Sequence, residues 1–329
     1  MANGLGSAVV GGSLDRTTLL AFAGIVLLGG VNGSAIRVGN AELGPFWGAT
    51  LRFGLASLVL FAIVAVRHVR LPRGRALLGS TVYGLLSFGV TFALINWALV
   101  ETPAGLAQVI LALVPLLTLL LAVAQGIERF RLQGVVGSLV SIAGVALIFG
   151  ERLGGGVPLV SMLAILVGAA SLAEANIVAK RLPHCHPVAN NAIGMGVGAV
   201  LLLGLTLVSG ESLAVPVRPS TLVALGYLAL VGSVVVFTLY LVVIQRWTAS
   251  ATSYTLLLMP LVSVIVAAVV LNEPITPILV LGGLLVLAGV YLGAFAPSVS
   301  RPLPGLFGRR PLPATAEPGP PVIITPNCP

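Results

Sequence analysis

Charged residues divide this chain into long apolar runs. The stretches without Asp, Glu, Lys or Arg are 17–36, 53–66, 76–100, 102–127, 132–150, 153–173, 182–210, 219–245, 247–272 and 274–300. A helix needs about 20 apolar residues to cross the hydrocarbon of a bilayer. Two runs reach that length only by enclosing one charge: Leu43 to Val66 holds Arg52, and Val157 to Ala179 holds Glu174. The pattern therefore predicts ten transmembrane helices. Leu, Val, Ala and Gly fill the runs without the period-2 alternation of a membrane barrel. The expected fold class is an all-α integral membrane protein. No basic n-region precedes Arg16 and no A-x-A site follows the first run, which is read as the first helix and not as a signal peptide.

Composition agrees. Apolar residues make up 58% of the 329 residues and charged ones 8%, against about 25% charged in a soluble domain. So few charges cannot cover a water-facing surface, which excludes a soluble enzyme and a disordered chain. The net charge of +8 does not imply nucleic acid, because in a membrane protein the location of the charge outweighs its sum. Thirteen Lys and Arg fall in segments on one side: Arg16, the cluster Arg67 to Arg75, Arg129, Arg131, Lys180, Arg181, Arg246, Arg301, Arg309 and Arg310. Only Arg37, Arg152 and Arg218 fall on the other. The positive-inside rule then places both termini in the cytoplasm, with the chain multi-pass in the cell membrane. Residues 297–329 contain ten prolines and are expected to form a disordered tail.

The chain repeats itself at an offset of 145. Identities include Ala104/Ala249, Pro115/Pro260, Leu116/Leu261, Ala122/Ala267, Glu128/Glu273, Gly137/Gly282 and Gly144/Gly289. Each half then holds five helices. Five is odd, so the halves enter the membrane from opposite sides and form an inverted repeat. That arrangement sets a binding site near the midplane at the repeat interface and supports alternating access. The expected organisation is an N-terminal segment 1–16, repeats 17–150 and 151–296, and the tail.

Asn32-Gly33-Ser34, Pro45 and Leu51-Arg52-Phe53 accompany the duplicated Pro115 and Pro260. With Glu128-x8-Gly137-x6-Gly144 and its copy Glu273-x8-Gly282-x6-Gly289, the chain resembles the EamA-like, ten-helix exporters of the drug/metabolite transporter superfamily. The resemblance covers about residues 17–296. It implies a secondary transporter that exports small metabolites, such as amino acids or drug-like amphiphiles. A membrane scaffold or receptor retaining the fold is the alternative from a different class.

Enzyme motifs are absent. No P-loop precedes the sole lysine, Lys180, and no HExxH occurs. His184-Cys185-His186 lies in a short turn and is read as solvated and not as a metal site. No cofactor is expected. The expected partners are a small-molecule substrate and the bilayer, with no nucleic acid and a homodimer left open.

Candidate chemistry centres on two intramembrane charges. Arg52 lies about 10 Å into its helix at 1.5 Å per residue, and either attracts an anion or pairs structurally. Glu174, about 9 Å from the other side, is a candidate to hold an amine, exchange a proton or snorkel. Glu128 and Glu273 precede helices and are assigned first to capping, with transport chemistry second. Polar groups in lipid need partners and should face inward. Asn32, Asn96, Trp97, Gln108 and Asn176 are therefore pocket candidates, as are Tyr227, Tyr240, Ser253, Tyr254 and Thr255, with inter-helix hydrogen bonding as the plain alternative for each.

Overall fold

The computed structural model describes residues 16–100, 102, 107, 110–150, 158–182, 186–271 and 277–296. Gln108, Glu273, His184, Cys185 and the tail lie outside them. The first five helices are α1 (Arg16–Asn40), α2 (Pro45–Val66), α3 (Gly74–Leu99), α4 (Val114–Ala124) and α5 (Leu132–Phe149). The second five are α6 (Leu159–Arg181), α7 (Pro187–Ser209), α8 (Pro219–Arg246), α9 (Ala249–Ser253 and Thr255–Leu271) and α10 (Pro277–Val290, extended by Tyr291–Phe295). Six of them, α1, α2, α3, α6, α7 and α8, are each long and apolar enough to span a bilayer, and four shorter apolar helices complete the set. The protein is an all-α membrane protein of ten transmembrane helices in two five-helix repeats.

Proline and glycine set several ends. Pro45, Pro187 and Pro219 open α2, α7 and α8, where a missing N–H costs nothing. Gly210 closes α7 in the left-handed conformation at φ 71°. The side chain of His186 caps α7, its Nδ1 accepting from Val188 N at 3.3 Å. Partial burial lowers the His186 pKa, which keeps that nitrogen free to accept.

Packing repeats with the sequence. α1 lies on α8 and α9, and in the same way α6 lies on α3 and α4. Two further interfaces, α2 with α7 and α5 with α10, pair each helix with its own counterpart and so straddle the pseudo-two-fold axis. The duplicated glycines meet there. A Cβ on Gly137 would come 2.6 Å from the Gly289 carbonyl, and one on Gly144 would come 2.7 Å from the Gly282 carbonyl. The first glycine of one helix thus faces the second of the other. That is antiparallel packing, the direct signature of inversion, and at such backbone proximity only glycine fits.

Irregularities are shared as well. α3 passes through a π-helical turn at Leu85–Val90 and α8 through one at Leu230–Val235, the same offset of 145. Such turns frequently mark functional positions. α9 begins as a five-residue segment, breaks at Tyr254 and carries Pro260 in its interior.

Candidate functional site

The α1–α2 turn caps one end of the bundle, and a cleft opens there with about 430 Å³ of free space, part of it open to solvent. Ile36, Asn40 and Leu43 line it from α1 and the turn, Ala49 and Arg52 from α2, Phe92 and Asn96 from α3, and Leu225 and Leu228 from α8. Three of these helices belong to the first repeat and α8 to the second, so the cleft lies at the repeat interface.

Arg52 forms the polar floor. Its side chain is 4% exposed. Nε donates to Ser233 Oγ at 2.8 Å and Nη2 to the Gly232 carbonyl at 3.1 Å, leaving three of five N–H groups for other partners. The guanidinium lies 5.0 Å from the Phe53 ring and 5.5 Å from that of Phe92. Among the described residues no carboxylate comes within ion-pairing distance of it; Glu128 with Arg131 at 3.7 Å is the pair found there. Both acceptors of Arg52 belong to the π-helical turn of α8. Asn32 Nδ2 donates to the same Gly232 carbonyl at 3.3 Å, and a Cβ at Gly232 would meet Asn32 Oδ1 at 2.2 Å. Three helices converge on this one irregular turn.

Below Arg52 the bundle is aromatic. Phe53 packs on Phe88 and Phe92 with centroids 5.2 and 4.7 Å apart, and Phe88 packs edge-on against Tyr83 and Phe237. The opposite end, which carries the α2–α3 and α8–α9 connections, is sealed. Phe22, Trp247 and Phe295 form a three-ring cluster with centroids 5.3 to 5.8 Å apart. Lys180 Nζ donates to the carbonyls of Ile244, Gln245 and Trp247 at 2.7 to 3.1 Å. Glu128 reaches across from the first repeat to the backbone N–H of Ser250 at 3.0 Å and to its hydroxyl, capping the start of α9.

At the open end the two repeats exchange caps. Glu211, beyond α7, accepts from the N–H groups of Phe46 and Trp47 at 3.2 and 2.9 Å. Glu42, beyond α1, accepts from Val217 N at 2.8 Å and Arg218 N at 3.3 Å. A carboxylate on the positive end of a helix stabilises both.

The remaining sequence candidates lie elsewhere. Asn96 lines the cleft and donates to the Pro45 carbonyl at 3.2 Å. Trp97, its neighbour, is 45% exposed on the outside of α3. Tyr227 donates to the Leu28 carbonyl. Tyr240 donates to Asn176 Oδ1 at 2.9 Å, and Asn176 donates to Thr118, a buried pair outside the cleft lining. Tyr254 bonds Gly134 O and Ser138 between α5, α9 and α10, while Ser253 and Thr255 bond their own backbone. Glu174 accepts from Gln125 Nε2 at 2.7 Å, between α6 and the end of α4. Of the structural motif, Pro115 opens α4. Sequence reasoning missed Ser233 and Gly232, whose importance arises from the π-helical turn, and Phe92, one ring among several in an apolar run. Among the described residues no group of three His, Cys, Asp or Glu could hold a metal.

A closed ring of two inverted five-helix repeats, with a cleft at their interface open to one end and sealed at the other, defines a membrane transporter. The EamA-like transporter family model matches residues 16–150 and again 159–294. The chain belongs to that family. It is 31% identical over 275 residues to the uncharacterized inner membrane transporter YedA of Escherichia coli K12, covering 80% of this chain and 89% of the relative. It is 31% identical to a probable terminal-alkyne amino-acid exporter of Streptantibioticus cattleyicolor, covering 78% and 86%. It is 26% identical to a probable amino-acid metabolite efflux pump of Escherichia coli K12, covering 82% and 92%. A solved crystal structure superposes with a TM-score of 0.74 at 21% identity, over 86% of this chain and 99% of its own, which speaks for the fold.

Proposed function

We propose that this protein exports small metabolites through the Arg52 cleft by alternating access. The observation that carries the reading is a buried cation, bonded among the described residues to neutral groups, at the end of a cleft on the repeat interface. Intramembrane charges facing a cavity mark substrate or ion paths. The names of two relatives, an amino-acid exporter and an amino-acid metabolite efflux pump, support small metabolites as cargo.

The positive-inside count supports placing the sealed end in the cytoplasm, together with both termini. The cleft then opens outward, and alternating access requires a second, inward-open state of the same inverted repeat. Reporters fused after residues 70, 183 and 300 should all read cytoplasmic. A periplasmic signal at any of them would refute this orientation.

Export is tested by solute uptake into inverted vesicles carrying the full-length chain, since the lumen of such a vesicle corresponds to the cell exterior. Asn96→Leu is expected to weaken transport about tenfold at unchanged membrane abundance, because it removes a cleft amide. Trp97→Ala, on the exposed side of the same helix, should leave transport within twofold. The reverse order of the two effects would move the pathway off the cleft.

A further inference from the structure

Among the described residues, the cleft lining holds a cation and no acid. Its lining combines Arg52 with the amides of Asn40 and Asn96, and is otherwise carbon and backbone: Ile36, Phe92 and Leu228 are representative. The carboxylates near the mouth, Glu42 and Glu211, already accept from the N-terminal amides of α8 and α2. A bound ammonium group would therefore find no free counter-charge among the described lining residues. A bound carboxylate would find the unused N–H groups of a guanidinium, whose planar fork matches a carboxylate in two parallel hydrogen bonds. Burial sharpens the distinction, since each charge brought into a poorly solvated site needs a partner.

We infer that the Arg52 cleft selects small apolar monocarboxylates without an α-ammonium group, in preference to amino acids, neutral amides and cations. The inference rests on the reading of this cleft as the transport site and names its cargo. The carboxylate meets Arg52, and the apolar body lies along Phe92 and the aliphatic wall. Anionic cargo also has an energetic consequence. One negative charge leaving a negatively charged interior gains roughly fiftyfold in concentration ratio per 100 mV. Export of a monoanion thus proceeds on the membrane potential, and no titrating acid is required in the pathway.

The test is binding of four matched probes to the full-length protein in lipid nanodiscs at pH 7.5. They are 3-phenylpropanoate, its amide, phenylalanine and phenethylammonium. The expected order places 3-phenylpropanoate at least tenfold tighter than each of the others. Arg52→Gln should abolish that preference, and Arg52→Lys should retain part of it, with thermal unfolding monitored for both. Leu228→Glu, which sets an acid in the wall, should weaken the carboxylate tenfold and improve phenethylammonium. If Arg52→Gln fails to fold, the wild-type order and Leu228→Glu still decide. Phenylalanine binding as tightly as 3-phenylpropanoate, or a carboxylate preference that survives in folded Arg52→Gln, overturns the inference. Efflux of other solutes that Asn96→Leu weakens would, in that case, leave the transport reading standing and remove the monocarboxylate alone.

Discussion

Gly84→Val is expected to destabilise the folded protein strongly and to lower its monodisperse yield. A Cβ at Gly84 would lie 2.2 Å from Gly194 Cα and 2.3 Å from its carbonyl oxygen. Both obstructing atoms are backbone, so no rotamer change relieves the clash. α3 and α7 would have to separate, and Phe88, which packs on Gly198 from the same side, would lose its seat beneath the cleft. Overpacking a well-fitted core costs about 1–3 kcal/mol and sometimes more; this site belongs at the upper end. Monodisperse yield and thermal unfolding in detergent provide the measurement. Gly204→Ala and Gly226→Ala, with nothing within 4 Å of the added atom, are the controls and should match or slightly exceed wild type, since alanine is the better helix former. A monodisperse Gly84→Val with wild-type unfolding would disprove the close contact.

Lys180→Met should be the most damaging single replacement at the sealed end. The ammonium group gathers three carbonyls, those of Ile244, Gln245 and Trp247, at the end of α8. The nearby Glu128 charge attracts it from the first repeat. Methionine keeps the stem and removes every donor, leaving those acceptors without it. A hydrogen bond to a charged group contributes about 1.5–3 kcal/mol, so a loss of about 3 kcal/mol is expected. Lys180→Arg should rescue little, because a planar fork does not converge on three carbonyls as a compact ammonium does. Unfolding temperatures of the two variants provide the check, and full stability of Lys180→Met would show that the carbonyls find other donors.

Much of the architecture was legible because hydrophobicity and repetition are themselves physical constraints. Ten apolar runs give ten helices, and an odd number per repeat requires inversion. The glycines at 137, 144, 282 and 289 stand out as repeated positions of the motif, and they meet across the axis. Arg52 stood out because a lone charge in lipid demands an explanation. The azimuth of each side chain was less accessible. In a helix apolar all round, nothing in the pattern separates the lipid face from the interior, so Asn96 and Trp97 looked alike although one lines the cleft and the other is exposed. Partners distant in sequence were equally hidden. Glu42 and Glu211 fall between apolar runs with no local partner in the pattern, and the groups they bind lie more than 160 residues away.

The paired π-helical turns carry a record of descent. A π-helical turn is in effect one residue inserted into a regular helix. Leu85–Val90 and Leu230–Val235 occupy one position in the two halves, whereas the turn at Tyr291–Phe295 faces regular helix at the corresponding place in α5. An insertion common to both halves is what doubling of a half-length gene that already carried it would produce. That ancestral polypeptide, with five helices and no second half to cap its helices, could close such a ring only by pairing with a copy of itself inserted the other way up. The Arg52 side chain, which the second half does not reproduce at the matching interface, records the later divergence of two formerly identical partners.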